Sequence, residues 1–428
     1  MTRVRGQVWY GLIRCCVVVP LWLLLVPAAM GGRRLLVRRH RDVPAWAAAV
    51  AVLAVWLGPA YVKVAQLAST RADVVPVGWC RALGRLREDG RPIRAGYVRR
   101  QLAEHGFGPD PLRMLGAGSV ACVYLVADPG GTAPVAVKLL RPGVRTAIAR
   151  DLAVLRFGAR VMVRLPRARH LPILDMIGHI SDAIAGQVDL VRERENLRVL
   201  RERLDPARIT VPAPRPGGSV DVLVMDYLAE FSDPQRREAP RQHQRLAAES
   251  LTECVFRMLF TVGVVHCDMH PGNLRVARDG RVCVVDAGFV VTPDDVLRRQ
   301  FCEFFLGLSL GNGVRCARSI VDAAVTMPAS LDRDLFDAEV TDIVRRYTGL
   351  PAGEFSIASF VDELFALQRR HRIFVSAAFV VPILTLLVIE GSVRAWHPDL
   401  DFQAVAQPIV LAALVRLPHP GRMRAQAA

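Results

Sequence analysis

The most chemically suggestive stretch runs Val265-His266-Cys267-Asp268-Met269-His270-Pro271-Gly272-Asn273, followed by Arg281-Val-Cys-Val-Val-Asp286-Ala287-Gly288. Asp268 and Asn273 stand in a D-x-x-x-x-N spacing, short enough for one loop to carry both. A carboxylate there can orient or deprotonate an attacking hydroxyl, while an amide oxygen can bind magnesium. Asp286, after a β-branched run and before a short Ala-Gly turn, supplies a second hard oxygen of the kind Mg²⁺ takes beside phosphate oxygens. Upstream, Gly116-Ala117-Gly118-Ser119-Val120-Ala121 reads G-x-G-x-x-A. Glycines let a backbone approach phosphates and turn its N–H groups toward them. Such a string is weak alone, but Val135-Ala136-Val137-Lys138 follows closely and places an ammonium on a predicted strand. Lys63 and Lys138 are the only two lysines among 56 basic residues. A lysine kept where arginine is the rule suggests a site needing a compact ammonium. Glu193 and Glu195, on a predicted helix, are the candidates to hold it. Taken in order, these residues imply a site that binds a nucleotide with Mg²⁺ and cleaves or transfers its phosphate.

The elements that must position them follow from pattern. Residues 110–140 read as strand, glycine turn, strand, loop and strand, and Asp221–Tyr227 as a short buried strand. Helical periodicity dominates 64–105, 145–205, 248–264 and 295–395, and short strands and turns fill 265–290. Residues 232–247 are polar, a loop or helix start. A β-rich half followed by an α-rich half predicts an α+β protein of two lobes. The expected domains are a basic segment 1–42, a helical extension 43–105, a β-rich lobe with inserted helices 106–230 and a helical lobe 231–428.

Composition bounds the partners. With 428 residues, 52% apolar and 22% charged, the chain can bury a core and is not a disordered or collagen-like polymer. Its net charge of +16 suits an anionic surface. Nucleic acid is discounted, because the arginines are not interleaved with aromatics and no recognised binding motif occurs. Cys15–Gly32 is an uncharged apolar run near the lower length for a spanning helix, with more arginine after it than before, which favours a cytoplasm-facing downstream domain. Val43–Val62 is Ala-rich and reads as a buried or interfacial helix. Phe374–Ile389 is short, interrupted by proline, and expected to be buried. The nine cysteines show no C-x-x-C pair, so neither a disulfide framework nor a zinc cluster is expected.

Asp268-Met-His-Pro-Gly-Asn273 with Asp286-Ala-Gly288 resembles the catalytic core of the UbiB/AarF family of atypical kinases. Leu57-Gly-Pro-Ala-Tyr-Val-Lys63-Val-Ala65-Gln66 resembles that family's K-x-G-Q segment, and Val381-Pro382 through Glu390-Gly391, then Pro398-Asp-Leu-Asp401, its carboxy-terminal helix and turn. The resemblance covers residues 57–403. It implies a protein-kinase-like fold with a helical extension folded over the active site, membrane association and a role linked to isoprenoid quinones or other lipids. It further implies that Lys138 binds the α/β-phosphates, Glu193 orients it, Asn273 and Asp286 hold Mg²⁺, Asp268 positions an acceptor or water, and Lys63 and Gln66 line the pocket. Gly116, Ala117, Gly118, Ser119, Val120, Ala121 and Ala136 would surround the nucleotide, and Met225, Asp226 and Tyr227 would offer backbone groups to adenine.

The sequence departs from the family pattern at several points. Ala65 replaces the glycine of K-x-G-Q, Gly116 and Gly118 stand where alanines are usual, and Gln187 replaces the first acid of an E-x-D motif. Asp286-Ala-Gly288 lacks a phenylalanine, and no long apolar run follows Asp401. Two other readings stay open: a small-molecule phosphotransferase of the aminoglycoside or choline kinase kind, and a non-catalytic nucleotide-binding membrane scaffold. Assembly is equally open, a homodimer included.

Overall fold

The computed structural model describes residues 92–418 except 132, 165–172, 232–239, 270–272, 278 and 376, together with part of 50–65. The apolar run Cys15–Gly32, Lys63 and Gln66 therefore lie outside the described residues. The chain divides into two compact units, Met1–Leu190 with Gly217–Leu223, and Val191–Pro216 with Val224–Ala428.

In the first unit, α1 (Ala95–Glu104) buries Val98 and Leu102. It leads to three antiparallel strands, β1 (Arg113–Ala117), β2 (Ala121–Val126) and β3 (Val135–Leu140). The β-branched content of β3 explains its place inside the sheet. Val135, Val137, Leu139 and Leu140 are each at most 1% exposed, worth about 1.5–3 kcal/mol apiece. The opening residues of β5 (Val222–Asp226) pair on the other side of β3, giving the order β1-β2-β3-β5. Gly143, at φ +72°, turns the chain from β3 into α2 (Val144–Met162), which packs against α3 (Ile173–Gly186).

The second unit is mainly helical. α4 (Leu190–Arg203) enters it, and β4 (Ile209–Thr210) follows. α5 (Arg241–Arg257) begins about two turns before the apolar periodicity that starts at residue 248, because residues 241–245 are polar and largely outward-facing. Short strands β6 (Val265–His266), β7 (Leu274–Val276), β8 (Val282–Val284) and β9 (Val290–Val291) then frame the loops that hold Asp268, Asn273 and Asp286, in sheets ordered β4-β8-β7 and β6-β9. α6 (Asp295–Ser309), α7 (Gly313–Asp322), α8 (Arg333–Tyr347), α9 (Ile357–Arg370), α10 (Ala377–Trp396) and α11 (Phe402–Arg416) complete the unit. A small two-stranded antiparallel sheet, β10 (Ala324–Thr326) with β11 (Phe374–Val375), interrupts a region read as helical from sequence.

These helices start where the sequence supplies side-chain caps. Asp294, Asn312, Asp332, Ser356 and Asp401 each accept a backbone N–H in the first turn of α6, α7, α8, α9 and α11. Asp401 ends the Pro398-Asp-Leu-Asp motif, so that motif is a helix start. Glu390, 6% exposed, takes the N–H groups of Ile357 and Ala358 at 3.0 and 3.1 Å and pairs with Arg394 at 2.9 Å. A carboxylate over two orphan donors of a helix N-terminus satisfies them and complements the dipole. Between the helices Phe301, Phe304, Phe360 and Phe379 stack or meet edge to face. No helix among the described residues is long and apolar enough to cross a membrane.

Candidate active site

The first unit carries the glycine turn and Lys138. The turn closes with Gly118 N–H donating to Ala121 O at 2.8 Å, between strands paired Ala117 to Cys122. Lys138 lies opposite Val123 in the middle of β3 and is only 8% exposed, beside Ala136 at 5%. A cation buried in an apolar strand is costly unless it has a charged partner or ligand. Ser119 Oγ is buried and has no hydrogen-bond partner. A Cβ at Gly116 would meet nothing within 4 Å and its φ is not positive, so alanine fits there as readily as glycine.

The second unit carries the acids. α5 ends in one π-helical turn, Met258–Val262, and Gly263 at φ +70° redirects the chain into β6. Arg298 of α6 donates to Phe260 O and Thr261 O, both at 2.9 Å, and so holds that helix end. His266, 1% exposed, then follows on β6. Its Nδ1 accepts the Asp268 N–H at 3.2 Å. A backbone amide can only donate, so the ring proton sits on Nε2, which donates to the Asp286 carbonyl. One neutral imidazole thus ties the backbone of the D-x-x-x-x-N loop to that of the second acid.

Asn273 Nδ2 donates to Asp268 O at 2.9 Å, which leaves Oδ1 as the amide atom suited to a cation. The β7–β8 hairpin brings Asn273 opposite Val285, whose N–H donates to Asn273 O at 3.0 Å, and Asp286 follows directly. Gly288 N–H donates to Asp286 Oδ1 at 2.7 Å and sets the carboxylate plane. From α4, Asn196 Nδ2 donates to Ala287 O at 2.9 Å. The carbonyls of Asp286 and Ala287 are thereby each held by a side chain, His266 and Asn196.

Burial separates the two glutamate candidates on α4. Leu190, Glu193, Leu197, Leu200 and Leu204 fall on one buried stripe, with Glu193 1% exposed. Glu195 has a side chain 65% exposed and pairs with Arg198 within its own helix. At the end of β5, Met225 is 4% exposed, the Asp226 N–H donates to Ala213 O at 2.9 Å, and the Asp226 carboxylate accepts from Arg215 at 2.6 Å. The backbone donor of Asp226 is therefore already used by the chain itself. Burial pushes the Cys267 thiol up to about 12, so it stays protonated and serves packing.

Among the described residues no three His, Cys, Asp or Glu gather as a metal site. The pair Asn273 Oδ1 and Asp286 carboxylate fits a hard cation that completes its shell with phosphate oxygens and water, which is Mg²⁺ chemistry. Ser119 Oγ, buried and unsatisfied, fits a ligand with acceptor oxygens. The sequence motif includes His266 without a role for it, and Asn196 belongs to none of the motifs. The position of His266 two residues before Asp268 is a signal in the sequence, whereas nothing in the sequence marks Asn196.

Residues 107–320 match the model of the ABC1 atypical kinase-like domain, half of the chain, and residues 340–401 match the UbiB helical domain. The chain belongs to the UbiB/AarF family of atypical kinases. Relatives described as probable protein kinase UbiB, from Vibrio vulnificus strain CMCP6 and Vibrio parahaemolyticus, are each 27% identical over 370 residues, covering 83% of this chain and 68% of theirs. One from Aliivibrio fischeri strain MJ11 is 26% identical over the same span. A solved structure described as the complex of Rv3197 and erythromycin from Mycobacterium tuberculosis aligns with TM-score 0.52 and 18% identity, covering 82% of this chain and 92% of that one. The fold is kinase-like, with mixed helices and sheets. The UbiB helical-domain match contains Glu390 and Arg394, so the carboxylate that caps α9 sits in the family's own helical region.

Proposed function

We propose that this family member is a membrane-associated ATPase or kinase that binds Mg-ATP and hydrolyses it or passes its phosphate to an acceptor, in the metabolism of isoprenoid quinones or other lipids. The observation that carries the reading is the catalytic-loop network, in which Asp268, Asn273 and Asp286 are held by His266, by Asn196 and by one another. Such cross-bracing before any ligand arrives is the preorganisation that positional and electrostatic catalysis requires.

Bound Mg²⁺ would supply charge neutralisation at the phosphate oxygens. Asn273 and Asp286 would hold it, and Lys138 would bind the α/β-phosphates with Glu193 as its orienting carboxylate. Asp268, whose backbone is fixed on both sides, would present its carboxylate to an acceptor hydroxyl or water and receive its proton. Lys63 and Gln66 would line the pocket from the extension, and the basic amino-terminal region would engage the membrane with the catalytic part facing the cytoplasm.

The test is Mg²⁺-dependent ATP turnover by the full chain, with and without anionic lipid vesicles, for wild type and Asp286→Asn. Loss of turnover in the variant is expected. Equal turnover in both proteins overturns the assignment, and phosphate transfer to a soluble alcohol with no response to vesicles would favour the small-molecule phosphotransferase instead.

A further inference from the structure

The first unit contains a polar clamp that the motif reading does not use. Arg141, the residue after β3, donates from Nε and Nη2 to the carbonyl of Gly118 at 3.0 and 2.7 Å. Its own N–H donates to Val120 O at 2.9 Å, extending the β2–β3 ladder past Leu140. With the Gly118 N–H to Ala121 O bond, Gly118 is held at both its N–H and its carbonyl.

That matters because a turn carrying Gly116 and Gly118 has wide backbone freedom and loses entropy when a ligand orders it. Two charge-assisted bonds from one planar guanidinium fix the Gly118–Ser119 peptide plane before a ligand arrives. In a trans peptide the carbonyl and the following N–H point in opposite directions. Drawing Gly118 O toward Arg141 therefore turns the Ser119 N–H away from it. Lys138 and Arg141 are at odd separation along one strand direction, which sends their side chains to opposite faces. The Ser119 N–H is thus turned to the Lys138 side, and Ser119 also holds the buried, unpartnered hydroxyl.

We propose that Arg141 is a positioning residue for nucleotide phosphate, presenting the N–H and hydroxyl of Ser119 to it. This rests on the Mg-ATP reading and adds to it a residue that does not itself touch the nucleotide. A lysine in its place could reach the same carbonyl as a point donor but could not hold it with two coplanar bonds.

The experiment is steady-state ATP turnover by the full chain for wild type, Arg141→Ala, Arg141→Lys, Ser119→Ala and the Arg141→Lys/Ser119→Ala double variant, with unfolding midpoints measured in parallel. Arg141→Ala is expected to raise the KM for Mg-ATP about tenfold with little change in kcat, and Arg141→Lys to restore part of the loss. The double variant is expected to lose less than the two single effects combined, because Arg141 acts in part through the hydroxyl that Ser119→Ala removes. If Arg141→Ala does not fold, the lysine variant and the double variant decide alone. An unchanged KM in Arg141→Lys, or strictly additive effects in the double variant, overturns the role of Arg141 while leaving the functional reading intact. Absence of turnover in the wild type overturns that reading first, and this proposal with it.

Discussion

Replacing Asn196 with alanine isolates the tie between α4 and the loop that carries Asp286. Asn196 donates to Ala287 O at 2.9 Å, and Ala287 is 0% exposed, so water cannot replace the lost donor. A buried carbonyl left without a partner costs about 1–3 kcal/mol. The neighbouring carbonyl, that of Asp286, keeps its bond from His266. The loop can therefore recover a partner for Ala287 only by shifting, and the shift moves the Asp286 carboxylate, the proposed Mg²⁺ ligand. At about 1.4 kcal/mol per decade, the half-saturating Mg²⁺ concentration for ATP turnover should rise by about 5- to 150-fold. Asn196→Asp is a stricter variant, since a carboxylate cannot donate and faces the carbonyl oxygen unfavourably. The assay is turnover against Mg²⁺ at saturating ATP, with thermal unfolding as a control. A lowered unfolding midpoint with an unchanged Mg²⁺ dependence would refute the reasoning, because the hydrogen bond would then support the fold and not the metal loop.

Other expectations concern other parts of the molecule. Glu390→Ala removes a charged cap shared by two α9 amides and Arg394, and should cost about 1.5–3 kcal/mol; hydrogen exchange at Ile357 and Ala358 should quicken, and unchanged protection there contradicts the capping role. Gly116→Ala should leave stability within about 1 kcal/mol, on the stabilising side, since its Cβ meets nothing within 4 Å; a larger loss in thermal unfolding counts against the described turn. Burial pushes Cys254, Cys267, Cys302 and Cys316 up to about 12, so a maleimide at neutral pH should label none of them in the native protein and all of them after denaturation. Burial first, and then the hydrogen bond to Glu363, pushes the Tyr347 hydroxyl up to about 12. Its neutral form is favoured in the folded state, so the contribution is complete below about pH 10 and is lost as pH rises toward about 12. Tyr347→Phe should flatten that alkaline decline in stability, and an identical decline in the variant would show that another group controls it.

Much of the site was legible because its residues are close in sequence. The D-x-x-x-x-N loop, Asp286 after a β-branched strand, and Lys138 on a buried strand behind a glycine turn are local patterns, and short-range backbone preferences carry them into the structure almost unchanged. The same is true of helix starts such as Asp294, Asp332 and Asp401, where a side chain caps amides only two or three residues away. The small two-stranded sheet β10–β11 was not legible, because its strands lie about fifty residues apart and neither has a strong pattern of its own. Where α5 starts within the polar stretch 232–247 was not legible, because polar helix turns have no apolar period to reveal them.

The sequence by itself determined which chemical groups are present and in what order, and through them the family and its kinase-like fold. Only tertiary structure decided which of two neighbouring glutamates on α4 is buried, that Asn196 reaches a carbonyl 91 residues away, and that Arg141 clamps the turn 23 residues before it. Each of these depends on which face of an element is turned inward and what backbone group then lies opposite. A hydrogen bond forms only within about 3 Å and a narrow angle, a condition set by the packing of whole helices and strands, and spacing along the chain carries no record of it.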